Sequence, residues 1–506
     1  MKKCLLLITF IAIQIANAQS PAIEWSKCYG GTSDDRFGGI PVATLDGGYI
    51  TIGQTTSNDG DIAGNHGDSD ILVIKVNSLG TVQWQKCFGG SSYDYGSSII
   101  QTTDGGYIFC GSTESNDGDV TGNHGYSDIW IVKLSATGIL QWQKCFGGTS
   151  SDNSNSSNIL QSSGGGYVFS GFTFSNDGDV SGNHGYNDAW VVKLSSAGDI
   201  IWQKCYGGAS YEFINQLRPT SDGGYIFIGD SESNDLNLNG NHGGRDAWIV
   251  KLDPSGNMQW QNLLGGTLEE ASFWVCQTAD YGFLLSLGTN STDGQVTGNH
   301  GGQDGWLVKL NVSGTILWQK CFGGTGDDSL GLVEATSDGG YFFGGSSSSI
   351  DGDVTSNHGG RDIWMGKLNA GLTIQWQKSL GGSGDEFGGA IPLADGSYMA
   401  IGNTESYYGD IVFNHGGVDM FLIKMSSNLA TENFASNTIT TYPNPMQNVL
   451  HIDLTNELSG QIMDLTGKTL LILNTRDVDV SSLSAGIYLL DISSEGKRYV
   501  KKIIKQ

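Results

Sequence analysis

The strongest constraint on the fold is a sevenfold internal repeat that occupies most of the 506-residue chain. A W-x-K motif recurs every 58 to 60 residues, and an N-H-G motif follows it with almost the same spacing. The tryptophans are Trp25, Trp84, Trp142, Trp202, Trp260, Trp318 and Trp376, and the histidines are His66, His124, His184, His242, His300, His358 and His415. Repeats of this length indicate one supersecondary unit that is stacked several times around a shared core.

Within one repeat, apolar runs alternate with turn residues, which indicates short strands. In the second copy we predict strands at 98–102, 107–113, 129–134 and 139–146, with turns at 104–106 and 136–138 and a long loop before the third strand. The Asp-Gly and Gly-Gly pairs suit these turns, because tight hairpins need residues with positive φ. The 77 glycines and only 7 prolines of the chain favour the same all-β interpretation.

The two ends of the repeat array are complementary. Residues 23–29 form a fourth strand with no third strand before it, and the last repeat stops after its third strand at 420–425. The N-terminal strand can therefore complete the last unit and remove exposed sheet edges. We predict an all-β fold: a seven-bladed β-propeller with four antiparallel strands per blade at 20–427, closed by the N-terminal strand and followed by a small β-sandwich.

The repeated D-G-G-Y, D-x-W and W-Q-K-C motifs resemble those of the bacterial seven-bladed propeller repeat family. The resemblance covers the predicted propeller and implies its fold. It implies no activity, because propellers include enzymes, adhesins and scaffolds.

Both ends of the chain carry export signals. Residues 1–18 combine two lysines, an apolar run and small residues before a cleavage site, which is the pattern of a signal peptide. After a linker at 428–440, the ordered motifs Y-P-N-P, D-x-x-G-K, L-x-x-G-I-Y and K-K-I-I-K in 441–506 resemble the type A sorting domain of the type IX secretion system. The resemblance implies handling by that machinery and release from, or display on, the outer surface of a Gram-negative bacterium.

Composition limits the partners of this protein. The net charge of -26 disfavours nucleic acid and anionic lipid surfaces. We also predict no membrane span, because no later segment has the roughly 20 apolar residues that a spanning helix needs, and we expect a monomer. Five cysteines share one repeat position with a leucine and a serine, so we interpret them as reduced packing residues: Cys28, Cys87, Cys145, Cys205 and Cys321.

Two sets of carboxylates are predicted to lie on one face of the propeller. One acid begins each repeat: Asp35, Asp94, Asp152, Glu212, Glu270, Asp328 and Glu386. Four long loops add a D-G-D motif: Asp59 and Asp61, Asp117 and Asp119, Asp177 and Asp179, and Asp351 and Asp353. Oxygen-rich, glycine-bent loops suit Ca²⁺, which is our only cofactor candidate. The alternative is that these aspartates brace turns through hydrogen bonds.

The histidines suggest zinc less well, because each repeat offers one histidine and no cysteine partner, whereas structural zinc needs four close ligands. We predict instead that each histidine braces its turn. The D-x-W aspartate and the lysine five residues later occur in every copy. This repetition indicates a role in the scaffold.

A unique function is better sought where the repeat is broken. Trp274 is the only tryptophan outside the two repeated tryptophan positions, and the same repeat adds Glu269 beside Glu270. An aromatic ring near paired carboxylates suits a sugar or a cationic group. The alternative is that Trp274 only fills space.

Three functions fit this sequence, and no catalytic residue is assigned. The first is a non-enzymatic binding or adhesion module for an extracellular glycan or protein. The second is a secreted polysaccharide-degrading enzyme that uses Glu269 or Glu270 near Trp274, since two carboxylates suffice for that chemistry. The third is a purely structural envelope protein.

Overall fold

In the computed structural model, the described residues are 20–154, 158–162, 164–235, 238–411, 414–429, 440–453, 458–464, 468–494 and 497–506. They form two compact units that divide between Ser427 and Asn428. The predicted signal peptide and most of the predicted linker lie outside the described residues.

The first unit consists of seven antiparallel sheets, numbered here in chain order. Sheets 1 and 2 contain β2 (Asp35–Ala43), β3 (Tyr49–Thr55), β4 (Asp70–Val76) and β5 (Val82–Phe88), then β6 (Asp94–Gln101), β7 (Tyr107–Thr113), β8 (Asp128–Leu134) and β9 (Leu140–Phe146). Sheet 3 contains β10 (Asp152–Asn153), β11 (Ile159–Gln161), β12 (Tyr167–Thr173), β13 (Asp188–Leu194) and β14 (Ile200–Tyr206). Its innermost strand is thus in two pieces, β10 and β11, which both pair with β12.

The remaining sheets repeat the four-stranded pattern. Sheets 4 and 5 contain β15 (Glu212–Pro219), β16 (Tyr225–Ser231), β17 (Asp246–Leu252) and β18 (Met258–Leu264), then β19 (Glu270–Gln277), β20 (Phe283–Thr289), β21 (Asp304–Leu310) and β22 (Ile316–Phe322). Sheet 6 contains β23 (Asp328–Ala335), β24 (Tyr341–Ser347), β25 (Asp362–Leu368) and β26 (Ile374–Leu380). Sheet 7 contains β27 (Glu386–Pro392), β28 (Tyr398–Thr404), β29 (Asp419–Leu429) and, at its outer edge, β1 (Pro21–Tyr29).

The sheets follow one another in a circular order. Each sheet contacts the next, and β2 of sheet 1 contacts β28 of sheet 7. The Asp35 amide donates a hydrogen bond to the Val418 carbonyl across this last contact. The structure therefore confirms the all-β, propeller-like fold and the pairing of the N-terminal strand with the last repeat.

The repeated residues connect the strands of each sheet. The D-x-W tryptophan is fully buried; Trp130, for example, packs edge-on against Phe109 with ring centroids 5.8 Å apart. The repeated lysine lies under the D-G-G hairpin, where Lys75 donates to Asp46 at 2.8 Å. The predicted scaffold role of this lysine is confirmed. The five cysteines of the repeat position are free thiols, as predicted, and so are Cys110 and Cys276.

The second unit is a small two-sheet domain. One sheet contains β30 (Thr440–Tyr442), β31 (Val449–Asp453) and β34 (Asp477–Asp479), and the other contains β32 (Ser459–Met463), β33 (Thr469–Leu473), β35 (Gly486–Ser494) and β36 (Lys497–Lys505). Both sheets contribute to one core that includes Leu450, Ile462 and Leu490. This arrangement agrees with the predicted β-sandwich.

Candidate functional site

The candidate site residues of the loops lie at one end of the sheets, which we call the loop face. Innermost strands begin there, second strands end there, and the long loops leave from there, because neighbouring strands run antiparallel. The D-G-G hairpins lie at the opposite end. The loop face therefore collects the repeated acids and the D-G-D loops, as the sequence predicts.

The acids that begin the repeats are buried structural groups. Glu270 accepts hydrogen bonds from the Gly266 amide at 3.0 Å and the Thr289 hydroxyl at 2.7 Å. In sheet 2, Asp94 accepts from the Gly90 amide at 2.8 Å in the same way. Burial raises the pKa of both carboxyls, that of Asp94 to about 6. Glu270 thus has the role of its counterparts in the other sheets.

The first aspartate of each D-G-D loop is also engaged in hydrogen bonds. Asp59 accepts from the amide and hydroxyl of Thr32, both at 2.8 Å. Equivalent bonds from the preceding connection reach three other loops: Ser91 to Asp117, Thr149 to Asp177 and Thr325 to Asp351. The backbone donors lower the pKa of these carboxyls. Calcium would have to displace these donors or share the carboxylate oxygens with them, so its binding here stays a prediction.

Two of the four second aspartates have longer contacts with neighbouring groups. The Asp353 carboxylate accepts from the Gly323 amide at 3.4 Å, and the Asp61 carboxylate lies 3.9 Å from Nε2 of His415. Asp119 and Asp179 are the equivalent residues of sheets 2 and 3. These aspartates are the D-G-D residues best able to accept a further ligand.

Trp274 is separate from the two glutamates. It lines a central cavity of about 620 Å³ formed by the innermost strands of all seven sheets, and neither Glu269 nor Glu270 belongs to the described lining. Glu269 is exposed and lies 3.5 Å from the Arg245 guanidinium. The structure therefore does not bring together the carboxylate pair and the indole that the sequence suggested as a unit.

Trp274 instead belongs to a charged cluster at the wall of the cavity. The Arg218 guanidinium lies 4.1 Å from the centroid of the indole and 3.7 Å from the Glu334 carboxylate. Burial raises the pKa of Glu334 and lowers that of Arg218. The indole N–H is buried and makes no hydrogen bond of ordinary geometry among the described residues. It lies close enough to Glu334 to lower the pKa of that carboxyl, which partly offsets the effect of burial.

Sequence reasoning missed Arg218 and Glu334, although the repeat contains a signal for them. Strand register aligns both with positions that are aliphatic in sheets 1, 2, 3 and 7. The complete set is Val42, Ile100, Leu160, Arg218, Cys276, Glu334 and Ile391. Three consecutive departures from an aliphatic position identify sheets 4 to 6 as the asymmetric part of the ring of innermost strands.

A second feature missed from the sequence is an exposed aromatic cluster on the loop face, between sheets 3 and 4. The rings of Tyr186 and Tyr211 stack with centroids 5.1 Å apart and an angle of 8° between their planes. Phe213 continues the stack, and Phe172 and Phe174 pack edge-on beside it. Tyr186 is 64% exposed, so the stack ends at a ring that is open to solvent.

Residues 440–506 match the family described as the secretion system C-terminal sorting domain. This match confirms the sorting domain predicted from the sequence motifs. The protein is therefore handled by the secretion machinery and is secreted or located at the cell surface of a Bacteroidetes-type bacterium. Among the described residues, no helix has the length and apolar character needed to cross a lipid bilayer.

The fold resembles several solved structures at low sequence identity. The complex of BBS1N with ARL6DN is 10% identical, with a TM-score of 0.42, 81% of this chain covered and 99% of that chain. Sqt1 from Chaetomium thermophilum is 13% identical, with a TM-score of 0.40 and coverages of 76% and 83%. The Synechocystis apocarotenoid oxygenase mutant Glu150Asp is 14% identical, with a TM-score of 0.38 and coverages of 76% and 88%. Likeness at this level says nothing about the ligand or activity of this chain, and no curated protein matches its sequence.

Proposed function

We propose that this protein is a secreted or surface-displayed, non-enzymatic binding or adhesion module whose repeats engage an extracellular glycan or protein. The observation that carries the proposal is the exposed aromatic cluster on the loop face. Parallel tyrosine rings offer large, flat, rigid surfaces at little entropic cost, and such surfaces are typical of binding sites. The sorting domain delivers this surface to the cell exterior, where such ligands occur.

The two glutamates considered for catalysis, Glu269 and Glu270, are engaged in other contacts. Glu270 is held by scaffold hydrogen bonds, and Glu269 is paired with Arg245. Polysaccharide hydrolysis needs two carboxyl groups on either side of one bond, at least one of them free to exchange protons with the substrate. A purified mature protein that degrades a polysaccharide, and loses this turnover in Glu269→Gln or Glu270→Gln, would overturn the non-enzymatic part of the proposal.

The direct test is a glycan and matrix-protein array probed with the mature protein, by which we mean the chain without the predicted signal peptide at 1–18. The array is run with and without calcium. We expect Tyr186→Ala combined with Tyr211→Ala to weaken the strongest interaction by about tenfold, which corresponds to about 1.4 kcal/mol. The matched control is Tyr281→Gly. Tyr281 is 63% exposed but lies in a hairpin at the opposite end, and glycine restores the D-G-G sequence of the other hairpins.

Each array outcome separates the candidate functions. Binding lost in the double variant and kept in Tyr281→Gly supports the loop face as the binding surface. Equal binding by both variants contradicts it. An array with no bound component at all favours the purely structural envelope protein.

A further inference from the structure

Three metal-ligand side chains meet where the N-terminal strand joins the last sheet. Cys28 lies in β1, Asp419 begins β29, and His415 precedes Asp419 by four residues. The Cys28 sulfur lies 3.6 Å from Oδ2 of Asp419, and Nδ1 of His415 lies 2.8 Å from the same oxygen. One donor atom from each residue lies within 4.8 Å of the other two.

The spacing of these donors suits a tetrahedral cation. Bond lengths of about 2.3 Å to sulfur and about 2.0–2.2 Å to oxygen or nitrogen place tetrahedral ligand atoms roughly 3.3 to 3.6 Å apart. The sulfur-to-oxygen distance already has this value, and the nitrogen-to-oxygen distance would have to open by about 0.5 Å. Thiolate, imidazole and carboxylate together form a donor set typical of zinc.

One surrounding group supports metal binding independently of these distances. Asp419 is fully buried and its Oδ1 has no hydrogen-bond partner among the described residues, but the equivalent aspartates of five other sheets share this property, so it does not single out this site. The Asp61 carboxylate of sheet 1 lies 3.9 Å from Nε2 of His415, the nitrogen that Nδ1 coordination leaves free. A carboxylate beside the second nitrogen is the usual means of orienting a metal-bound histidine.

The other sheets contain the same parts without the same assembly. Every sheet has the histidine-to-aspartate bond, which confirms the predicted bracing role of the histidines. Four other sheets have a cysteine at the position of Cys28. Among the described residues, however, only sheet 7 brings all three donors within this distance. The expectation that the histidines have no cysteine partner is therefore wrong in sheet 7, where β1 supplies Cys28 from the N-terminal end of the repeat array.

We propose that Cys28, His415 and Asp419 bind one divalent cation of the zinc class, with a water molecule as the fourth ligand on the partly exposed side of His415 and with Asp61 orienting the histidine. The cation would tie the N-terminal strand to the last sheet and to the long loop of sheet 1. Coordination through sulfur requires the thiolate, so each bound cation releases the Cys28 proton to solvent. Because the complete assembly exists only in the folded chain, binding stabilises the fold by linkage.

Cobalt(II) titrated into the metal-free mature protein tests this proposal, because cobalt occupies zinc sites and its bond to thiolate absorbs in the near ultraviolet. We expect one cobalt per chain, a thiolate-to-cobalt band, and displacement of both by zinc. Cys28→Leu should abolish the band, and zinc should raise the melting temperature of the parent protein but not of this variant. Leucine is chosen because Leu263 fills the same position in sheet 4.

The matched control is Cys87→Leu, which removes the equivalent thiol of sheet 1 and should leave the band intact. A band that survives Cys28→Leu, or is absent from the parent protein, would overturn the proposal. If Cys28→Leu does not fold, His415→Gln provides the same test, with at least a tenfold loss of cobalt affinity expected. None of these results depends on the glycan and protein arrays.

Discussion

The junctions between neighbouring sheets on the loop face share one backbone arrangement but use two side-chain arrangements. At every junction, the first amide of an innermost strand donates to a carbonyl just before the D-x-W aspartate of the preceding sheet. In the three junctions from sheet 1 to sheet 4, which we call the aromatic half, the residue after N-H-G carries a side chain. The residue that follows it forms an isolated parallel bridge with a tyrosine or serine: Ser69 with Tyr93, Ser127 with Ser151 and Asn187 with Tyr211. From sheet 4 around to sheet 1, the residue after N-H-G is glycine and faces an acid: Glu269, Asp327, Asp385 or Asp34.

Glycine and acid occur together because they occupy the same space. A Cβ added to Gly360 would lie 2.0 Å from Asp385, and one added to Gly244 would lie 2.4 Å from Glu269. The acid uses this space to approach the backbone; Asp385, for example, accepts from the Arg361 amide at 2.8 Å. In the four junctions from sheet 4 around to sheet 1, which we call the glycine–acid half, the side chains are thus used for contacts within the junction. The aromatic half instead leaves rings exposed for a ligand.

The largest effect we predict concerns the buried acids that both halves share. Burial raises the pKa of Asp94 in the aromatic half and of Glu270 in the glycine–acid half, and raises that of Asp230 beside the cavity to about 6. The folded protein therefore keeps protons that the unfolded chain loses between about pH 4 and pH 6. The free energy of unfolding should fall by several kcal/mol as the pH rises through this window, at about 1.4 kcal/mol per group and pKa unit.

Urea denaturation at intervals between pH 4 and pH 8 measures this dependence. The Asp46 carboxyl contributes in the opposite direction, because its bond to Lys75 lowers its pKa to about 2, but that contribution is lost only below pH 4. A free energy of unfolding that rises between pH 4 and pH 6 would show that the buried acids are ionised in the folded state throughout.

The next largest effect separates the two adjacent glutamates of sheet 5. Glu270→Ala should lower the free energy of unfolding by about 3 kcal/mol, because it leaves the Gly266 amide and the Thr289 hydroxyl buried without their acceptor. Asp94→Ala should cost a similar amount in the aromatic half. The control is Glu269→Ala, which removes one exposed ion pair and should cost about 1 kcal/mol or less. Equal losses for Glu269 and Glu270 would contradict the structural role of the buried position.

How far the sequence predicts this molecule depends on whether a feature lies within one repeat. The strand at 107–113 is confirmed at both ends, and the turns follow their glycines, since local pattern determines both. The innermost strand of the same sheet begins at Asp94 rather than at residue 98. Its first residue is the buried acid that accepts a hydrogen bond from the Gly90 amide in the connection between sheets 1 and 2. Patterns of alternating apolar residues cannot reveal such a start.

Contacts between repeats are much harder to predict. The contacts of Arg218 with Trp274 and Glu334 join sheets 4, 5 and 6, and the contact of Cys28 with Asp419 joins the two ends of the array. Each residue can be noticed alone as a departure from the repeat or as a repeated cysteine. Which of these residues come into contact depends on strand register and on the circular order of the sheets, and neither can be predicted from the sequence of a single repeat.

A third prediction converts one junction type into the other. Gly360→Tyr alone should cost about 2 kcal/mol, because the new side chain collides with Asp385. Adding Asp385→Ser recreates the tyrosine and serine pair of the junction between sheets 2 and 3, so it should recover at least about 1 kcal/mol. A double-mutant cycle of urea denaturation measures this coupling. Additive effects would mean that glycine and acid are independent of each other.

The smallest effect we predict is that of calcium on the D-G-D loops, three of which lie in sheets 1 to 3. The first aspartate of each already accepts hydrogen bonds from the connection, so calcium gains few free oxygens and needs backbone or water ligands to reach the usual six to eight. We expect millimolar calcium to stabilise the protein by a few tenths of a kcal/mol at most, with the gain reduced in Asp119→Asn combined with Asp179→Asn, which leaves two of the four D-G-D loops intact. The control is Gln295, the neutral residue at the same position in sheet 5, where substitution by alanine should leave the calcium response unchanged. A melting temperature that neither calcium nor a chelator alters would reject calcium binding, and the D-G-D aspartates would then be turn-bracing residues in both halves of the loop face.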